Sequence, residues 1–253
     1  MTNKLKYFVG NWKMFGDLNS LHIVRKIDTF CNKYKKYQKK YKVVICVPST
    51  LIYYFTNKIK SKFISVGGQN CHESYRSGPF TGSITAGMLK NVGANYVIIG
   101  HSENRSDGDT NLKIRKKIES AIKEKLNIIL CIGETGKEKK SGKTLSVLKK
   151  QLMNSFVNQN NGKKIIIAYE PRWSIGTGKT PNTSELTKIF FFIKKKLKNN
   201  FKVKKSNLVL YGGSVNSANI NMFSSISEID GFLVGGSSQS AKKFIDIIKN
   251  YYK

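Results

Sequence analysis

The chain has 253 residues, 40% of them hydrophobic, and its 45 lysines and arginines against 15 acidic residues give a formal net charge of +30. No apolar run approaches the roughly 20 residues that span a bilayer, and the polar stretch Met1–Lys6 is not a targeting signal, so we expect a soluble, cytoplasmic protein. With four prolines and no stretch rich in proline, serine or glycine, nothing indicates a linker, and we expect a single domain over residues 1–253.

Short apolar runs alternate along the chain with longer segments of helical spacing. Some of these runs, such as Val43–Val47 and Ile128–Ile132, are continuously apolar, which predicts strands buried on both faces of a parallel sheet. The predicted strands are, in chain order, Tyr7–Trp12, Lys42–Val47, Phe63–Gly67, Tyr96–Ile99, Asn127–Ile132, Lys164–Tyr169, Asn207–Tyr211 and Gly231–Val234.

Several segments between the strands have apolar residues every three to four positions. Asn111–Leu126, Leu145–Val157 and Leu186–Leu197 are predicted helices, Asn182–Glu185 offers a helix start, and Asn216–Phe223 predicts a shorter, weaker helix. Eight strand–helix units in a chain of this length favour an α/β fold of the closed (β/α)8-barrel type, with an open doubly wound sheet as the alternative. No Gly-x-Gly-x-x-Gly motif follows the first strand, which argues against a dinucleotide site.

Polar residues and glycines collect where the predicted strands end. In an α/β barrel the carboxyl ends of all strands meet on one face, where active sites lie. The sequence therefore predicts a catalytic site on that face. The residues concerned are Asn11, Lys13, Gln69, Asn70, His101, Glu134, Glu170, Gly212–Ser214 and Gly235–Gly236.

Five motifs at these strand ends resemble those of the triosephosphate isomerase family, and the resemblance extends over the whole chain. It implies a TIM barrel that interconverts dihydroxyacetone phosphate and D-glyceraldehyde 3-phosphate through an enediolate, in glycolysis and gluconeogenesis, without metal or cofactor. Each motif alone is a weak signal, but their order and their placement at strand ends make a strong one. The motifs are Asn11–Lys13, Gly100–Glu103, Ala168–Pro171 followed by Trp173 and Ile175–Gly178, Tyr211–Val215, and Asp230–Gly236.

The resemblance also implies catalytic roles for five residues. Glu170 would be the base, because a desolvated carboxylate can move a proton between two adjacent carbons. His101 would be a neutral electrophile that donates to the enediolate oxygen. Lys13 would stabilise the growing negative charge, Asn11 would position the substrate carbonyl or Lys13, and Glu103 belongs to the same catalytic set.

The resemblance places the substrate phosphate on backbone amides rather than on an arginine. The expected amides are those of Gly176, Ser214, Gly235 and Gly236, beside the substrate contacts of Asn11 and Lys13; glycine lets the chain approach a phosphate closely. Pro171–Lys179 would form a lid that excludes water and protects the enediolate.

The resemblance further implies a homodimer formed through the loop around Thr81. The family usually has a glutamate at the position of Ser83 and an arginine at the position of Asn104, which pair across the dimer. Because both partners are replaced together, no buried charge is left unpaired, and we still expect a dimer with altered interface electrostatics. Other departures from the family pattern are Arg105–Asn111, Arg172 and Ser237–Gln239.

The cysteines Cys31, Cys46, Cys71 and Cys131 form no CxxC pair, and we interpret them as buried, reduced thiols. Two other functions stay open. The charge of +30 permits binding to nucleic acid or an acidic surface, although lysine runs such as Lys33–Lys40 and Lys194–Lys196 fit solvated helix faces and no nucleic-acid motif is present. The other alternative is an isomerase of a different phosphosugar, because a fold does not fix a substrate.

Overall fold

The structure is a computed structural model that describes residues 5–34, 40–59, 61–157, 165–201 and 208–253. Eight parallel strands form a closed barrel in which each strand pairs with its neighbours in chain order and β1 pairs with β8. The closed (β/α)8 barrel is confirmed, and the open sheet is wrong. The strands are β1 (Lys6–Asn11), β2 (Tyr41–Cys46), β3 (Ile64–Gly68), β4 (Tyr96–Ile99), β5 (Asn127–Ile132), β6 (Ile165–Tyr169), β7 (Val209–Tyr211) and β8 (Gly231–Val234).

Three predicted strands, β4, β5 and β8, have the observed bounds, and β1 to β3 are displaced by one residue at one or both ends. Lys164 and Asn207, the first residues of two other predicted strands, lie outside the described residues, as do positions 35–39 of the lysine run. β7 begins at Val209, because the backbone N–H of Val209 donates to the Asp230 carboxylate and the pairing with β6 starts there.

Helices occupy most of the connections between the strands, and none among the described residues is long and apolar enough to cross a bilayer. They are α1 (Leu21–Lys33), α2 (Ser49–Lys58), α3 (Ala86–Asn91), α4 (Ser102–Ser106), α5 (Asn111–Lys123), α6 (Gly136–Lys140), α7 (Thr144–Ser155), α8 (Thr183–Phe201) and α9 (Ala241–Tyr251).

Local hydrogen bonds explain where the helices differ from their predicted bounds. α5 ends three residues before Leu126 because Lys125 takes a left-handed conformation, with a φ of 56°. α8 begins before Leu186, since the Asn182 side chain caps the N–H of Glu185 at 2.8 Å. The predicted helix Asn216–Phe223 is only a 3₁₀ turn over Ile220–Phe223, because the Asn216 side chain binds nearby backbone N–H groups instead.

Alternate residues of the strands face two separate apolar clusters. One contains strand residues such as Val9, Val44 and Ile166 without any helix residue, so it fills the barrel interior. The other joins strand residues such as Phe8 to helix residues such as Leu148, so it lies between the sheet and the helices. Burial on both faces, which the continuously apolar runs predicted, is therefore observed. The four cysteines are buried thiols that form no disulfide with one another.

Candidate active site

The carboxyl ends of the strands surround a cavity of about 310 Å³. It brings together eight of the nine predicted site residues, which come from the ends of five strands (β1, β4, β6, β7 and β8) and the loops that follow them. Glu103 is not among the lining residues. Those eight are Asn11, Lys13, His101, Glu170, Gly176, Ser214, Gly235 and Gly236.

The end of β1 holds Lys13 in an unusual backbone conformation. Its φ is 57°, in the left-handed region that non-glycine residues seldom adopt. The N–H of Lys13 donates to Asn11 Oδ1 at 3.0 Å, and Gln69 Nε2 donates to the Lys13 carbonyl at 2.9 Å. Gln239 Nε2 binds the carbonyl of Trp12 at 2.8 Å, so side chains from two other loops fix this turn. This turn directs the Lys13 side chain into the cavity.

Glu103 lies beside the cavity and contacts it through Lys13. Its Oε1 is 2.5 Å from Lys13 Nζ, and the Glu103 side chain is 56% exposed. An ion pair this exposed contributes little to stability. Its geometric effect is to orient the ammonium group, so the position of Glu103 fits a residue that holds Lys13 in place.

His101 caps α4 and points its other ring nitrogen at the carboxylate. Its Nδ1 accepts a hydrogen bond from the backbone N–H of Glu103 at 3.2 Å, at the start of the helix. A nitrogen that accepts from an N–H carries no proton, so the ring is the neutral tautomer with its proton on Nε2. Nε2 lies 3.3 Å from Glu170 Oε1, and both side chains are almost fully buried.

Close backbone packing fixes Glu170. A Cβ atom on Gly212 would lie 2.7 Å from Cγ of Glu170, and one on Gly133 would lie 1.8 Å from the Glu170 carbonyl oxygen. Glu170 Oε2 is buried and has no hydrogen-bond partner among the described residues. Burial, and then the nearby Glu170 charge, raise the pKa of Cys131 well above its ordinary value, so a neutral thiol lies next to the carboxylate.

The front of the predicted lid, residues 171–179, is held by a buried carboxylate at the end of β5. Glu134 accepts from Trp173 Nε1 at 2.8 Å and from the Tyr169 hydroxyl at 3.2 Å. Lys139 Nζ lies 3.6 Å from the centre of the Trp173 ring. Burial raises the pKa of Glu134, although the Trp173 hydrogen bond lowers it. The sequence marked Glu134 only as a strand-end residue, because its partners lie about 40 positions away in the chain.

Arg105 is another residue of the site that the sequence did not identify. Its guanidinium group donates to the carbonyl of Gly100 at 2.8 Å, to that of Cys131 at 3.1 Å and to Asn111 Oδ1 at 2.8 Å. It therefore joins the ends of β4 and β5, near His101 and Glu170. Nothing in the local sequence distinguishes it from the other basic residues of the chain.

Comparison with known proteins decides the family. A family model described as triosephosphate isomerase matches residues 6–251. The chain belongs to the triosephosphate isomerase family. Curated triosephosphate isomerases similar to it include that of Bradyrhizobium diazoefficiens, 38% identical over 98% of this chain and 99% of the relative, and that of Bartonella henselae, 38% identical over 98% and 97%. The crystal structure of the Bartonella henselae triosephosphate isomerase has a TM-score of 0.86 at 36% identity, covering 98% of this chain and 99% of that chain.

Arg172, which the sequence comparison with the family pattern singled out, contacts α4. Arg172, at the front of the lid, donates from Nη2 to Ser106 Oγ at 2.6 Å, and Ser106 Oγ donates to the carbonyl of Ser102. The lid is thus connected to α4, the helix that His101 caps.

A second groove, of about 570 Å³, lies on the other side of Lys13. Ser83 and Asn104, the two positions at which the resemblance implied an interface pair, both line it. The neighbouring Met14 side chain is fully exposed, and Phe80, next to the loop tip Thr81, is 46% exposed. A groove with exposed apolar side chains at its edges is typical of a protein interface.

Proposed function

We propose that Glu170 is the base and His101 the electrophile with which this member of the triosephosphate isomerase family interconverts dihydroxyacetone phosphate and glyceraldehyde 3-phosphate. The single observation that supports these roles is the buried pair itself: Glu170 Oε1 lies 3.3 Å from a neutral His101 Nε2–H, and both face the same cavity. Members of this family are isomerases, and their reaction belongs to glycolysis.

The chemistry follows from the two side chains. Glu170 removes a proton from C1 of dihydroxyacetone phosphate while His101 Nε2–H donates to the carbonyl oxygen, which gives an enediolate. The hydroxyl proton moves from O1 to O2 through His101 Nε2, and Glu170 returns its proton to C2, which leaves the aldehyde at C1. Glu170 Oε2 is buried and has no hydrogen-bond partner among the described residues, so this oxygen is available to take the proton.

The remaining site residues stabilise charge and hold the phosphate. Lys13 places an ammonium group beside the developing oxyanion, and Asn11 fixes the backbone turn that directs it there. The amides of Gly176, Ser214, Gly235 and Gly236 border the same cavity and would receive the phosphate. Residues 171–179 cover this end of the cavity as a lid.

The groove beside Lys13 supports a homodimer built through the loop around Thr81. A second copy would cover the exposed Met14 and Phe80 and would bring Ser83 opposite Asn104 of the partner subunit. We also propose a cytoplasmic location, because four cysteines that form no disulfide fit a reducing compartment. Residues 1–253 would act as one domain.

The test of the catalytic roles is the isomerisation of glyceraldehyde 3-phosphate, coupled to reduction of the ketone product, by the wild type and by Glu170→Asp. Shortening the side chain by one methylene group withdraws the carboxylate from the reacting carbons without removing its charge. We expect kcat/KM to fall by two or more orders of magnitude, about 3 kcal/mol of barrier.

The matched control is Glu119→Asp, an exposed carboxylate on α5 that pairs with Arg115. Its rate should equal that of the wild type. Equal rates for the wild type and Glu170→Asp would exclude Glu170 as the base.

A further inference from the structure

Ser174 is the one fully buried residue in the middle of the lid. Its exposed fraction is 0%, whereas Gly176, Thr177 and Gly178, just after it, are exposed. A polar side chain in such a place requires hydrogen-bond partners, because an unsatisfied buried hydroxyl is costly.

The Ser174 hydroxyl has three partners, which use all of its hydrogen-bonding capacity. It donates its only proton to the carbonyl of Lys179 at the rear of the lid. It accepts from the backbone N–H of Ser214 at 3.3 Å, and it lies 3.3 Å from the Tyr211 hydroxyl. Since the Ser174 proton is already used, Tyr211 is the donor in that pair, and burial raises the pKa of Tyr211 to about 12, so it keeps its proton.

Two further contacts join the same segments. Ser214 Oγ donates to the Ser174 carbonyl at 2.7 Å and accepts from the N–H of Gly178 at 3.2 Å. A Cβ on Gly213 would lie 2.2 Å from the Tyr211 hydroxyl oxygen and 2.7 Å from Ser174 Oγ, so this position has no room for a side chain. The middle of the lid, its rear and the turn after β7 therefore form one hydrogen-bonded unit.

We propose that Ser174 is a positioning residue that fixes the lid to the turn after β7, so that the Gly176 amide is aligned with the phosphate. This inference rests on the proposed phosphate site. The Ser174 hydroxyl does not contact the substrate; it acts through Ser214 and through the backbone that leads to Gly176. An alanine at position 174 would leave the Lys179 carbonyl, the Ser214 N–H and the Tyr211 hydroxyl each without this partner.

A substrate that lacks the phosphate provides the discriminating measurement. Free glyceraldehyde can react at Glu170 and His101 but gains nothing from a phosphate amide on the lid. Loss of lid alignment should therefore slow the phosphorylated substrate selectively. A general weakening of the fold would slow both substrates alike.

The experiment compares Ser174→Ala with Ser155→Ala, a second fully buried serine, which ends α7 away from the lid. For Ser174→Ala we expect kcat/KM to fall at least tenfold with glyceraldehyde 3-phosphate and less than twofold with glyceraldehyde. Ser155→Ala should leave kcat/KM unchanged for both substrates. Tyr211→Phe, which removes one of the three partners, should show the same selectivity to a smaller extent.

Hydrogen exchange of the Gly178 and Ser214 amides tests the hydrogen-bonded unit without any reaction. These amides should exchange faster in Ser174→Ala than in the wild type or Ser155→Ala. Equal exchange in all three proteins, or an equal loss of rate with both substrates, would overturn the proposal. If Glu170→Asp were fully active while Ser174→Ala still increased exchange, the catalytic roles would fail and the positioning role would stand.

Discussion

Two glycines decide where the carboxylate of Glu170 lies. Gly133 touches its backbone and Gly212 touches its side chain, each at a distance that leaves no space for a Cβ. Interiors packed this closely transmit small displacements, so a single methyl group is enough to move a neighbouring side chain. At the scale of one residue, the position of the proposed base therefore depends on the absence of a Cβ at Gly133 and Gly212.

Gly212→Ala should displace the carboxylate, because the new methyl group would lie 2.7 Å from Cγ of Glu170. We expect kcat/KM to fall by about 100-fold, or about 3 kcal/mol of barrier, while the circular dichroism spectrum stays unchanged. The control is Gly136→Ala, where the new atom meets only an ordinary contact of 3.5 Å with Trp173. Similar rates for the two variants would contradict this account of the packing.

At the scale of the element, the front of the lid depends on α6 and on the end of β5. The Thr135 and Glu138 side chains form a capping box that starts α6. This short helix supplies Lys139, which lies over the face of Trp173, while Glu134 binds the edge of the same ring. The front of the proposed lid is therefore held by side chains from α6 and from the end of β5.

Trp173→Phe should destabilise the protein more at pH 8 than at pH 5. Burial raises the pKa of Glu134, so the folded protein holds this proton more tightly than the unfolded chain does. The contribution of Glu134 to stability is thus greatest below its ordinary pKa of 4.5 and declines as pH rises through the folded value. The Trp173 N–H offsets that decline, because it binds the ionised form most strongly.

The measurement is urea unfolding of the variant and the wild type at both pH values and one protein concentration. We expect the loss of unfolding free energy to be about 1 kcal/mol larger at pH 8, the difference between a hydrogen bond to a charged group and one to a neutral group. Trp12→Phe is the control, since Trp12 Nε1 donates to the neutral carbonyl of Ser238 and its loss should not depend on pH. A pH-independent loss for Trp173→Phe would count against an ionised Glu134.

At the scale of the whole molecule, the proposed interface lacks the ion pair that the family usually has. Ser83 and Asn104 are both uncharged and line one groove, whose floor holds the buried pair of Lys117 with Asp109 at 2.7 Å. A neutral contact avoids both the desolvation cost and the risk of an unpaired charge. The interface would then depend on apolar and shape complementarity.

Restoring the charged residues at positions 83 and 104, first one and then both, should test whether these two positions face each other across the dimer. Ser83→Glu alone should raise the dimer dissociation constant about tenfold or more, because the carboxylate would be buried against a neutral Asn104. The double variant Ser83→Glu with Asn104→Arg should recover most of that loss, which a double-mutant cycle measures by sedimentation. A wild type that sediments as a monomer, or a double variant as weak as Ser83→Glu, would contradict the proposed pairing.

The sequence by itself determined the barrel and most of the candidate site. Strands of the right number and order followed from apolar runs, and eight of the nine predicted site residues line one cavity because parallel strands end on the same face. Such features are local: a run, a spacing or a motif is complete within a few neighbouring residues.

Only the tertiary structure decided the contacts between segments that are distant in the chain. Arg105 binds the end of β5, Trp173 binds Glu134, and Ser174 joins the lid to the turn after β7. These outcomes depend on which partner each polar group meets once the barrel has closed, and no pattern of neighbouring residues specifies that partner.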